Sequence, residues 1–203
     1  MKTTGIVGIF LTALFLAACG AGNTTLRSEI LASEYKGHPE HVLVLAIGFN
    51  QVQKSLVERN LADHLTATGV KVSKGQQMFG DMLDIDREYI LRRLRITDID
   101  AVLVLRLDRV KLEAKEQYQP QRELGKKTSL LLISEADVTG ANQRIILPTE
   151  NVDVMLRINL VDMATEQRVW TAESESFNAG SAEDIIKVVG VKVIQELKLA
   201  GLL

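Results

Sequence analysis

Apolar residues recur along this chain with two periods, and each change of period marks an element. Residues 5–18 (GIVGIFLTALFLAA) carry no charge at all. Residues 20–25 are small and polar, a flexible tether by composition. Leu26, Ile30, Leu31 and Tyr35 then suggest one weak helical turn or more before Pro39. Residues 42–47 (VLVLAI) form a continuous apolar run, the pattern of a strand covered on both faces. Gly48 turns the chain, and Asn50 caps a helix to about residue 68 whose apolar stripe is Val52, Leu56, Val57, Leu61 and Leu65. Gly69 stands where a left-handed C-terminal cap favours glycine. Residues 70–73 read as a short strand, followed by a loop with Gly75, Gly80 and Asp81. Asp84 or Asp86 caps a second helix that buries Ile90, Leu91 and Leu94. Residues 101–110 (AVLVLRLDRV) are the strongest strand signal, and residues 151–161 alternate with Val152, Val154, Leu156, Ile158 and Leu160 on one face. A turn over 162–167 leads into a strand over 168–177. Ser181 and Asp184 then open a helix that buries Ile185, Ile186, Val189, Val193 and Leu197. The order β-α-β-α-β, then a β-hairpin and a C-terminal helix, predicts an α/β fold with a single mixed sheet and helices packed against it.

Composition narrows the classes of function. The chain has 203 residues and 46% hydrophobic content, enough for one globular domain. Its net charge of -2 excludes a globally basic nucleic-acid binder. Aromatic residues make up 4%, which leaves few platforms for stacking bases or sugars. One cysteine and three histidines argue against a zinc site, and the expectation is a domain without metal or cofactor.

The uncharged run at the start carries the most specific signal. Its fourteen residues would reach about 21 Å as a helix, short of the roughly 30 Å hydrocarbon core of a bilayer. With Lys2 before it, the run is a signal-peptide core rather than a spanning helix. It ends in Leu16-Ala17-Ala18-Cys19, which resembles the lipobox of bacterial lipoproteins. That resemblance implies cleavage before Cys19 and acylation of its sulfur and new amine. Stable anchoring takes about two chains, each buried methylene contributing about 0.8 kcal/mol. The same resemblance implies the outer membrane, because Gly20 rather than Asp follows the cysteine. The expected organisation is a signal peptide over 1–18, a lipidated Cys19 and tether over 19–38, and a periplasmic α/β domain over 39–203 with a polar insertion at about 112–150.

Candidate chemistry is sparse. Gly48 follows the first strand without a G-x-G-x-x-G run, so it reads as a turn glycine. Gly125-Lys126-Lys127-Thr128 lacks the upstream glycine of a phosphate loop. His38 and His41 have metal-ligand spacing only if their turn is helical, and Pro39 opposes that, so they read as surface-loop histidines. His64 reads as exposed on the first helix. Asp81, Asp84, Asp86 and Glu88 fail the calcium-loop pattern and suit a helix N-terminus. No G-x-S-x-G occurs, and Cys19 is committed to lipid. No catalytic residue is expected. Trp170 reads as a core residue rather than an exposed hot spot.

A pattern of segments adds a resemblance. Residues 42–47 (VLVLAI), the helix ending LTATGV, Asp98-Ile99-Asp100-Ala101-Val102-Leu103-Val104, and Val161-Asp162 followed by Arg168-Val169-Trp170 resemble a fold group of periplasmic lipoproteins. That group includes the curli secretion lipoprotein, the penicillin-binding-protein activator lipoproteins and the amino-terminal domain of the Tol translocation protein. The resemblance implies a module that binds another envelope protein, with no catalytic residues to carry over. Its alternative is an accessory or pore-forming subunit of an envelope export complex. Partner contact is expected in the polar insertion, at Gln119, Arg122, Glu123, Lys126 and Lys127.

Overall fold

The computed structural model describes residues 23–32, 35, 37–80, 87–112, 152–179 and 181–203. Ten elements follow in order: β1 (Asn23–Ile30), β2 (His41–Ile47), α1 (Gln51–Thr66), β3 (Lys71–Lys74), α2 (Gly75–Phe79), α3 (Arg87–Arg95), β4 (Ala101–Leu112), β5 (Val152–Asp162), β6 (Gln167–Ala179) and α4 (Ala182–Leu199). The six strands form a mixed sheet in the order β1-β6-β5-β4-β2-β3. β2 runs parallel to β3 and β4, and the remaining pairs are antiparallel.

The unbroken apolar run of β2 is explained by two cores. Val42, Val44 and Ala46 join the larger core with Val57, Leu61 and Leu65 of α1 and Ile186, Val189 and Val193 of α4. Leu43, Leu45 and Ile47 point the other way, against Phe79 of α2 and Ile90 and Leu94 of α3. β5 and β6 alternate instead, because their inner faces meet α4 and their outer faces carry polar side chains. The predicted caps at Asn50 and Ser181 form. Asn50 Oδ1 accepts from the Gln53 N–H at 2.9 Å, and Ser181 Oγ accepts from the Asp184 N–H at 3.1 Å. Gly69 has φ 93°, in the left-handed region.

Three expectations are corrected. Residues 23–30 are neither tether nor helical turn but an edge strand paired with β6 from Asn23↔Phe177 to Ile30↔Trp170. Its inward side chains are partly polar and are met by polar partners: Thr24 Oγ1 lies 3.0 Å from Ser176 Oγ, and Ser28 Oγ donates to Glu196 Oε2 at 2.6 Å. The expected loop after β3 contains α2, whose start at Gly75 packs tightly on β2. A Cβ there would come within 2.5 Å of Leu45 Cδ1 and 2.9 Å of Glu58 Oε1. The buried face of α1 is rotated from the expected stripe: Val52 is 72% exposed, whereas Gln53, Lys54 and Glu58 are buried.

Strand direction defines two ends. The amino-terminal ends of β2, β3 and β4 gather with the β5–β6 turn and the end of β1 at one, here the lower end. Asn23, Phe177 and the Leu112↔Val152 pair lie at the other, the upper end. Among the described residues no helix is long and apolar enough to cross a membrane.

Candidate functional site

A groove of about 470 Å³ opens at the lower end. Its apolar wall comes from Leu94 on the last turn of α3, Ile99 before β4, Met163 in the β5–β6 turn, and Pro39 before β2. Thr97 Oγ1 donates to the Leu94 carbonyl at 2.7 Å and turns the chain out of α3 into this wall. The polar wall is held from below. Asp100 Oδ2 accepts from the N–H groups of Glu40 and His41 at 2.9 and 2.8 Å, which pins the chain entering β2. Asp162 Oδ2 accepts from the Thr165 N–H at 2.8 Å and shapes the turn, where Glu166 takes φ 53°. Tyr35 donates its hydroxyl to Asp162, and burial, with the charges of Asp162 and Asp100, raises its pKa to about 12. It is therefore a neutral donor across the physiological range. Arg95 Nη2 meets Glu166 Oε1 at 2.9 Å on the rim. Each of these carboxylates serves a backbone or side-chain donor.

Beside the groove, a polar chain crosses the ends of β3, β2 and the segment before β4. Ser73 Oγ lies 2.9 Å from His41 Nε2, His41 Nδ1 lies 3.0 Å from Asp98 Oδ1, and Lys71 Nζ donates to Asp98 Oδ2 at 2.6 Å. The order serine–histidine–aspartate matches a nucleophile, base and orienting acid. The surroundings match a strap. Asp98 is 71% exposed, its second oxygen is taken by Lys71, and His41 Nδ1 lies at ion-pair distance without hydrogen-bond alignment. Lys71 draws the Asp98 carboxyl below its usual range, with His41 a smaller cause. His41 itself is buried at the start of β2, so the surface-loop expectation holds for exposed His38 and is corrected for His41. His64 is corrected as well: it is half-buried where α1 meets α4, close to Gly190.

The sheet face away from α4 carries an ionic ladder. Asp108 sits at a bulge in β4 and takes Arg106 Nε at 2.7 Å and Arg157 Nη2 at 3.0 Å, and Arg157 also meets Glu173 at 3.2 Å. A smaller hollow of about 100 Å³ lies above it, lined by Arg109, Met155, Glu175 and Phe177 among others.

Cys19 and the expected contact residues Gln119, Arg122, Glu123, Lys126 and Lys127 lie outside the described residues, as do Asp81, Asp84 and Asp86. Leu112 pairs with Val152, so the segment 113–151 leaves and rejoins the sheet at the upper end, opposite the groove. Among the described residues no three His, Cys, Asp or Glu side chains are grouped to hold a metal ion. Trp170 is 0% exposed, a core residue as the sequence predicts. Sequence reasoning missed the groove altogether. Asp100 and Asp162 flank strands as ordinary polar punctuation, and only the pairing of β4 with β5 brings them together.

No family model matches the chain, and no curated protein matches it. Among solved structures it is similar to the PelC dodecamer from Paraburkholderia phytofirmans. In one crystal form the TM-score is 0.47 at 13% identity, covering 85% of this chain and 98% of that one. In a second form the TM-score is 0.45 at 14% identity, covering 89% and 98%. A PDZ domain protein from Parabacteroides distasonis is similar with a TM-score of 0.47 at 9% identity, covering 87% of this chain and 37% of that one. At these values the likenesses assign neither a family nor an activity to this chain.

Proposed function

We propose that this chain is a lipid-anchored, non-catalytic module of the bacterial envelope, held at the outer membrane, whose lower end binds another envelope protein. One observation carries the reading. Leu16-Ala17-Ala18-Cys19 closes a signal-peptide core, and the sheet begins at Asn23, at the end opposite the groove. An anchor at the upper end leaves the groove facing away from the membrane. Exposed Ile30, Ile96 and Leu199 belong to the same lower end, apolar positions suited to a protein partner. The proposed fold group, that of periplasmic lipoproteins with envelope partners, agrees with this arrangement.

The test is photo-crosslinking in intact cells. A photoreactive residue at Ala164, in the groove, should yield a discrete adduct with one envelope protein, and the same residue at exposed Asp63 on α1 should not. Equal, diffuse labelling from both positions would remove the groove from the reading.

A second reading, an accessory subunit of an envelope export complex, is favoured by one feature. The residues that flank the segment 113–151, Leu112 and Val152, pair at the end proposed to be anchored. Native mass spectrometry of detergent-extracted protein separates the two, since a pore requires a closed ring of copies.

A further inference from the structure

We infer that the domain stands end-on against the bilayer, with Phe177 at the lipid surface. This rests on the lipoprotein reading of Cys19. The inference comes from where the sheet begins. Only Gly20, Ala21 and Gly22 separate Cys19 from Asn23, the first residue of β1. Four residue steps span at most about 14 Å when fully extended. An acylated cysteine lies at the headgroup level, so the Asn23 end of the sheet is held within that distance of it. β1 is tied to β6 along its length, from Asn23↔Phe177 to Ile30↔Trp170, so the domain is leashed by a rigid strand instead of a long linker.

An exposed apolar side chain lies at this end. Phe177 is the register partner of Asn23 and is 44% exposed. An aromatic side chain at the end nearest the anchor fits the headgroup–acyl boundary, where apolar contact is favourable. The β5–β6 turn lies about 30 Å away along β6 at about 3.3 Å per residue, beyond the reach of the leash in an upright domain.

The experiment uses the full-length lipoprotein, extracted in detergent and reconstituted into vesicles of phosphatidylethanolamine and phosphatidylglycerol carrying spin-labelled lipid. A fluorophore is placed by Phe177→Cys or, at the opposite end, by Thr165→Cys; acylated Cys19 does not react. A second pair, Thr25→Cys, exposed on β1 two residues from Asn23, and Ile96→Cys at the lower end, guards against a variant that fails to fold. The upper-end probes should lose most of their fluorescence and the lower-end probes should keep theirs. Equal quenching at both ends means a domain lying flat, quenching only at the lower end means an inverted one, and no quenching means no lipid contact. Each of these overturns the inference. The mass of the Cys19 peptide is read from the same sample. Without acyl chains the lipoprotein reading itself fails and takes this inference with it, whereas acylated protein with an unquenched upper end overturns this inference alone.

Discussion

Two buried side chains show what single residues contribute. Trp170 has 0% exposure in the main core, and its indole N–H has no hydrogen-bond partner among the described residues. Truncating such a side chain costs about 3–5 kcal/mol through lost transfer energy and a cavity. That is a large part of a typical total of about 5–15 kcal/mol. Trp170→Ala should therefore unfold at a much lower denaturant midpoint. Trp170→Phe should recover most of the loss, because it keeps an aromatic ring and removes an unpaired donor whose burial costs about 1–3 kcal/mol. Equal losses in the two variants would show that ring volume does not hold the core. Glu58 is the opposite case, a buried group with full employment. Oε1 accepts from the Ala46 N–H at 3.2 Å, and Oε2 accepts from the Gln76 N–H at 2.8 Å. β3 pairs with β2 only as far as Val44, so the carboxylate takes up the donor that the short strand leaves over. Burial raises its pKa above the ordinary 4.5, against the two backbone donors and Lys54. A raised folded-state pKa stabilises fully below the unfolded value and loses that contribution as pH rises through the raised one. Glu58→Gln leaves one N–H facing an amide NH₂ and should destabilise by about 1–3 kcal/mol. Its deficit relative to wild type should be larger at about pH 4 than at about pH 8 in paired denaturation curves. A deficit that grows with pH would reverse the assignment.

At the scale of elements, β1 decides how far the sheet extends. Without it, β6 would present thirteen residues as an open edge. Arg27→Pro removes a backbone donor and fixes φ in mid-strand. Hydrogen exchange should then show lost protection over 23–30 with α1 and β2 still protected. Global loss of protection would mean that β1 belongs to the folding core. The elements legible in the sequence are those whose burial follows a simple period: β2 with both faces covered, β4, the β5–β6 hairpin, and α4 with Ser181 at its start. β1 was hidden because Thr24 and Ser28 fill inward positions through hydrogen bonds and so break the apolar alternation. α2 was hidden because five residues (GQQMF) are too few to show a helical period. The rotated face of α1 has a similar cause. Gln53, Lys54 and Glu58 are buried for their polar ends, which no apolar pattern reports. The groove was illegible for a topological reason, since its walls come from three separated segments that only the strand order assembles.

For the whole molecule, the opposition of two ends matters most. One end carries Asn23, four steps from Cys19, whose acylation is proposed, and the other carries the groove. Whether the groove faces the periplasm, and whether Phe177 meets lipid, both follow from the state of Cys19. The most direct measurement is therefore the intact mass and amino-terminal peptide of the protein extracted from membranes. Processing should leave a chain that begins at Cys19, carries acyl chains, and disappears in favour of the unprocessed precursor in Cys19→Ala. A chain that still begins at Met1, or one cleaved without lipid, would contradict the anchored module.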